Sequence, residues 1–107
     1  MTNVIEILGK NEFDDVINSG AIVFADFYAS WCAPCKMQSP ILIEFASEIG
    51  EKAKIVKIDV DQNPELASLY AVQSIPTIAV FKDGKLMEKT VGLTSKASLS
   101  EMLIKLL

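Results

Sequence analysis

The stretch Ala21-Ile22-Val23-Phe24-Ala25-Asp26-Phe27-Tyr28-Ala29-Ser30-Trp31-Cys32-Ala33-Pro34-Cys35 decides the fold. Ala21–Tyr28 is apolar at almost every position, which predicts a strand in the middle of a sheet covered by helices on both faces. Beyond it the apolar spacing turns helical and buries Ile41, Leu42, Phe45, Ala46 and Ile49, so a helix runs from about Ala33 to Ile49. Pro40 falls inside that helix, removes one backbone hydrogen bond and predicts a kink. The cysteine pair therefore sits where a strand hands over to a helix. No other cysteine occurs in the chain, so whatever sulfur chemistry it performs happens here.

The Cys-x-x-Cys spacing reads as a redox pair. With Cys32 capping the helix and Cys35 one turn in, the two side chains share a face with Cβ atoms about 5–6 Å apart, and small adjustments close a disulfide. The unpaired N–H groups and positive dipole of a helix start favour a thiolate at Cys32. Cys32 is thus the expected nucleophile. Cys35, further in and less exposed, is the expected resolving thiol, and Pro34 suits the first turn because its missing N–H costs little there. A structural staple is the competing reading, but a bridge across so short a loop removes little unfolded-chain entropy. Zinc commonly needs four Cys or His ligands. The chain has no His and no second cysteine pair, so the expectation is no metal unless two chains share one.

Outward from this stretch the pattern alternates. Val4–Leu8 reads as a short strand, and Asn11 with Asp14 as the start of a helix ending near Gly20. Lys54–Val60 gives a third strand, and Pro64–Tyr70 a short helix begun by Asn63. Thr77–Lys82 and Lys85–Val91 form a hairpin across Asp83-Gly84, and Leu99, Met102, Leu103 and Leu106 mark a final amphipathic helix. The order βαβαβαββα implies an α/β fold with a mixed five-stranded sheet flanked by four helices. One domain, residues 1–107, is expected, large enough to bury roughly 65% of its unfolded surface.

Asp26 interrupts the apolar strand, and a charge there needs a reason. Desolvation raises a carboxylate's pKa, so a buried Asp26 is a candidate proton acceptor for Cys35 near neutral pH, with Lys57 in the next strand as its expected partner. A buried ion pair kept for packing, or a strand end open to water, are the structural alternatives. Among the other features, the net charge of −4 comes with scattered lysines rather than a basic stripe, which argues against nucleic acid. No apolar run approaches the ~18 residues of a membrane span, and no basic and apolar leader is visible. A cytoplasmic monomer is the expectation.

At this point the chain resembles the thioredoxin family over its whole length. The resemblance is carried by Asp26 through Lys36, Pro40, Lys57-Ile58-Asp59-Val60-Asp61, Ile75-Pro76-Thr77, Asp83-Gly84 and Val91-Gly92. It implies the thioredoxin fold and a general protein-disulfide reductase with no bound cofactor. Electrons would come from a thioredoxin reductase and pass to client proteins of the ribonucleotide reductase, peroxiredoxin and methionine sulfoxide reductase types. By the same resemblance Cys32 attacks and Cys35 resolves, Asp26 and Lys57 assist, and Trp31, Ala33, Pro34, Ile75, Pro76 and Gly92 contact substrate. It also favours a cis Ile75–Pro76 bond, with the Ile75 backbone free to pair with a substrate strand.

Each of these contacts has a plainer reading beside it. Trp31 could be a core aromatic, Pro76 a strand-edge or turn proline, and Gly92 a simple bend. Three positions depart from the family's habit: Ala33 stands where glycine is usual, Tyr28 where many members carry a second Trp, and Ser74 where a glycine is common. Ala33 leaves redox potential and substrate range open. Three functional classes remain at this level: a dithiol carrier, a binding module using its apolar face, and an intermolecular metal or cluster site.

Overall fold

A computed structural model describes residues 4–107. The elements run β1 (Val4–Glu6), α1 (Lys10–Ile17), β2 (Val23–Tyr28), α2 (Ala33–Ile49), a 3-10 turn at Gly50–Lys52, β3 (Lys54–Asp59), α3 (Pro64–Leu69), β4 (Thr77–Lys82), β5 (Lys85–Val91) and α4 (Lys96–Ile104). The sheet order is β1-β3-β2-β4-β5. β3 lies parallel to both β1 and β2, while β4 is antiparallel to β2 and β5. β2 is therefore central, which explains why its sequence shows no polar alternation: both faces are covered.

Strand alternation divides the core in two. Ile22, Phe24, Ile55, Ile78 and Val80 face Leu42 and Phe45 of α2 and Leu99, Met102 and Leu103 of α4. Val23, Ala25, Phe27, Val56, Ile58, Ala79 and Phe81 face Phe13 and Ile17 of α1 and Leu66 of α3. Phe13, Tyr70 and Phe81 meet edge to face at centroid distances of 5.2–5.5 Å, a geometry set by the ring quadrupoles. Fully burying one such Phe contributes about 1.5–3 kcal/mol, so the sheet is held from both sides and carries its strand ends as a rigid platform.

Several boundaries differ from expectation, each for a local reason. β1 stops at Glu6; Ile7 still donates to the Lys57 carbonyl at 2.8 Å, but Leu8 then turns into solvent. Asn11 is not the cap of α1. The helix starts at Lys10 behind Gly9, which offers no side-chain cap, and the Leu8 N–H is taken by Glu12 Oε1 at 2.7 Å. α1 ends at Ile17 with Asn18 as its C-cap: the Asn18 N–H still makes the helical bond to the Asp14 carbonyl, which its side-chain amide also shares, but the Ser19 N–H turns to the Val16 carbonyl at 3.2 Å. β2 begins at Val23 instead of Ala21, and β3 ends at Asp59 instead of Val60. Asn63 does precede α3, yet its amide donates back to the Asp59 carbonyl at 3.0 Å. α4 is capped by Ser95, whose Oγ accepts from the Ser98 N–H at 3.1 Å, and ends at Ile104, so Leu106 packs on the core from beyond the helix. α2 has the expected bounds and runs through Pro40, which lies on its exposed side. Asp83 and Gly84 both take positive φ, +54° and +76°, the backbone that a two-residue hairpin loop requires.

Candidate active site

The chain leaves the central strand at Tyr28 and enters α2 through Cys32, whose extended backbone makes it the N-cap. The Cys35 N–H donates to Cys32 Sγ at 3.2 Å. One of the helix's orphan donors is thus aimed at the sulfur, and with the dipole it favours the thiolate. Cys32 and Cys35 are joined as a disulfide with Cα atoms 5.2 Å apart. Cys32 Sγ also lies 3.8 Å from the Ile75 carbonyl oxygen. A disulfide sulfur carries no proton, so this contact becomes a donor–acceptor pair only on reduction.

Exposure does not separate the two cysteines as the sequence led us to expect. Cys32 is 4% and Cys35 2% exposed. In the disulfide, Cys32 Sγ lies between the Cys35 N–H and the Ile75 carbonyl. The hydrogen bond and the capping position distinguish Cys32, rather than its surface area.

Around the disulfide lies a rim of mixed depth. Trp31 is 68% exposed and its Nε1–H donates to Asp61 Oδ2 at 2.8 Å. Ala33 and Pro34 are exposed, Ile75 and Gly92 are half-buried, and Pro76 is buried. The Ile75–Pro76 bond is cis. Gly92 donates its N–H to the Pro76 carbonyl at 2.8 Å. Its φ of +90° favours glycine, and a Cβ there would meet nothing within 4 Å; the space before it is open.

Asp26 is 1% exposed, and among the described residues neither carboxylate oxygen has a hydrogen-bond partner. Burial raises its pKa from 3.8 to about 7, against the pull of the Lys57 charge and with a smaller push from Glu6. The sheet places Glu6, Lys57 and Asp26 in one row across β1, β3 and β2. Lys57 is nevertheless not hydrogen-bonded to Asp26. Its Nζ donates to Ser39 Oγ at 2.8 Å and stands 4.2 Å over the Tyr28 ring, a cation–π contact. Tyr28 in turn donates to Glu6, with its hydroxyl 2.9 and 2.8 Å from the two carboxylate oxygens. Its pKa is raised by desolvation first and by that hydrogen bond second.

Sequence reading missed Glu6 and Ser39, because only the strand register and the packing of α2 bring them to Lys57. Gln38 was also missed, although a signal existed: it falls on the stripe Cys35, Gln38, Leu42, Phe45, where every other member is apolar. Among the described residues no group of three or more His, Cys, Asp or Glu is placed to hold a metal ion, and no helix is long and apolar enough to cross a membrane.

Residues 4–105 match the family model described as Thioredoxin. The chain belongs to the thioredoxin family. It is 53% identical over 87 residues to the thioredoxin of Bacillus subtilis, covering 81% of this chain and 84% of that one. A mutant thioredoxin from Halobacterium salinarum superposes with a TM-score of 0.89 at 39% identity, covering 95% of this chain and 88% of its own. A chain from a study of thiol resolution in a yeast mitochondrial 1-Cys peroxiredoxin via glutathione and thioredoxin systems gives a TM-score of 0.89 at 29% identity, covering 98% and 99%. Family and disulfide geometry together make this chain a protein-disulfide reductase that cycles Cys32 and Cys35 between dithiol and disulfide. Its clients are proteins that carry disulfides.

Proposed function

We propose that Cys32 is the attacking thiolate and Cys35 the resolving thiol, with Asp26 as the proton acceptor for Cys35. The observation that carries this is the Cys35 N–H donating to Cys32 Sγ at the start of α2. The Cys32 thiolate attacks one sulfur of a client disulfide; that S–S bond breaks and the other client sulfur leaves as a thiolate that takes up a proton. Cys35, its proton passed to the Asp26 carboxylate, then attacks Cys32 Sγ of the mixed disulfide. The Cys32–Cys35 bond forms, the client's second thiol is released, and two electrons have moved from this chain to the client.

Trp31, Ala33, Pro34, Ile75, Pro76 and Gly92 form the face on which the client lies. Ile75 supports this role through its carbonyl beside Cys32 Sγ, a position from which backbone can pair with an extended client segment. Lys57 assists by its charge, which favours the ionised Asp26 without a direct bond. The cycle needs no bound cofactor: a thioredoxin reductase reduces the disulfide again, and the clients are of the ribonucleotide reductase, peroxiredoxin and methionine sulfoxide reductase types. A dithiol reductant of this kind works in a reducing compartment, here the cytoplasm, as a monomeric domain of residues 1–107. Insulin reduction with and without a thioredoxin reductase and NADPH tests the reading. Turnover that needs both supports it; Cys32→Ser retaining turnover would overturn the assignment.

A further inference from the structure

Gln38 lies on α2 three residues after Cys35 and is wholly buried. Its Nε2 donates to the Thr94 carbonyl at 3.0 Å, and its Oε1 accepts from the Thr94 N–H at 2.8 Å. One carboxamide thus satisfies both backbone groups of one residue, as a neighbouring strand would. Thr94 Oγ1 donates to the Gly92 carbonyl at 3.2 Å, and the Gly92 N–H donates to the Pro76 carbonyl. Next to Pro76, the Ile75 carbonyl stands at Cys32 Sγ. These links close a ring: from the cysteine helix through Gln38 to Thr94, Gly92, Pro76 and Ile75, and back to Cys32.

We propose that Gln38 is a positioning residue that sets the spacing between the cysteine pair and the Gly92–Thr94 shelf, and thereby the fit of protein disulfides. This rests on the client face proposed above. No other side chain of similar size does the same work. A glutamate keeps an acceptor for the Thr94 N–H but turns an anion on its carbonyl, and a methionine leaves both groups buried and unpaired. Gln38 is not among the cysteines, Asp26 or the client-face residues, so its loss moves the shelf and leaves the sulfur chemistry alone. A small disulfide that does not lie along the shelf is indifferent to it.

The test compares Gln38→Met, Gln38→Glu and Gly92→Val with the parent. The readouts are exchange of the Thr94 amide by NMR, KM and kcat for insulin, the rate on a small aromatic disulfide, and the potential against glutathione. In the Gln38 variants we expect the Thr94 amide to exchange faster in Gln38→Met, with KM for insulin about tenfold higher, given the sensitivity of rates to ångström-scale misplacement. kcat, the small-disulfide rate and the potential should be unchanged. Gln38→Glu, which keeps one of the two bonds, should fall between parent and Gln38→Met, and it serves alone if Gln38→Met fails to fold. An unchanged KM in both folded Gln38 variants, with a raised KM in Gly92→Val, overturns the positioning role and leaves the client face intact. An unchanged KM in Gly92→Val overturns the client face itself and the proposal with it. A shifted potential or small-disulfide rate shows that Gln38 acts on the cysteines and also overturns it.

Discussion

Lys57 is the cross-strand neighbour of Asp26 in the register of β2 and β3, yet its ammonium group donates to Ser39 Oγ on α2. The carboxylate is thus left in an apolar surround with a cation nearby but not bonded to it. Desolvation then outweighs the attraction, which is why the Asp26 pKa rises to about 7 instead of falling.

That rise makes stability depend on pH. An unfolded Asp26 releases its proton near pH 4, while the folded one holds it to about 7. Between those values the folded state carries the extra proton, so stability falls as pH rises through the window and levels off above it. The full cost of ionisation is about 4 kcal/mol. Asp26→Asn should therefore be more stable than the parent at pH 8, by about 2–4 kcal/mol, with the gain gone by pH 4. Urea midpoints at several pH values measure this; a parent whose stability climbs from pH 5 to pH 8 would contradict it.

Ser39→Ala removes the hydroxyl that holds Lys57. The freed ammonium is then available to the carboxylate beside it, which lowers the Asp26 pKa by about one unit. In the variant, the rise of the resolving step with pH should move down by a similar amount. Stopped-flow reduction of a client disulfide from pH 5 to pH 9 resolves the shift. A profile identical to the parent's means that Ser39 does not control where Lys57 sits.

On the proposed division of roles, Cys35→Ser would keep attack and lose resolution, so it should accumulate mixed disulfides with clients, whereas Cys32→Ser should trap almost none. Non-reducing gels of affinity-purified variants display the contrast. Equal trapping by the two would reverse or abolish the division of labour.

Tyr28→Phe keeps the ring beneath the Lys57 ammonium and deletes the hydroxyl bound to Glu6. A hydrogen bond to a charged acceptor contributes about 1.5–3 kcal/mol when well shielded. With Tyr28 only half-buried, a loss near 1 kcal/mol is expected, along with an unchanged rate of client reduction. Thermal or urea unfolding together with an insulin assay checks both parts.

Ala33 is exposed in the first turn of α2, between the two cysteines. Its helix preference over glycine acts on oxidised and reduced states alike, while its exposed methyl belongs to the client face proposed above. Ala33→Gly should hold the reduction potential within about 30 mV, equivalent to ~1.4 kcal/mol for two electrons, and change relative rates among protein disulfides. Equilibration with glutathione and a panel of client rates distinguish the two effects. A large potential shift with unchanged selectivity would place the role of Ala33 in the dithiol itself.

Much of this molecule was legible in its local sequence, because local sequence carries the physics involved. The doubly apolar run before the cysteines identified the central strand, the Cys-x-x-Cys spacing identified a helix-capping redox pair, and Asp83-Gly84 identified the hairpin turn, all through backbone propensity and hydrophobic periodicity. Asp26 stood out because a lone carboxylate in such a run contradicts its surroundings. Boundaries were less clear where the backbone pattern tightened locally, as past Asn18, where the Ser19 N–H turns to the Val16 carbonyl and α1 ends early.

Only the tertiary structure decided what those residues face. That Lys57 binds Ser39 rather than Asp26, that Glu6 meets Tyr28 from 22 residues away, and that Gln38 pairs with Thr94 across 56 residues all follow from strand register and helix docking. Those placements are set by the burial of two whole apolar faces, not by the chemistry of any one residue. A sequence announces which groups can ionise, donate or attack. Which of them meet is decided by long-range packing, and here that packing left Asp26 without a hydrogen-bonded partner among the described residues.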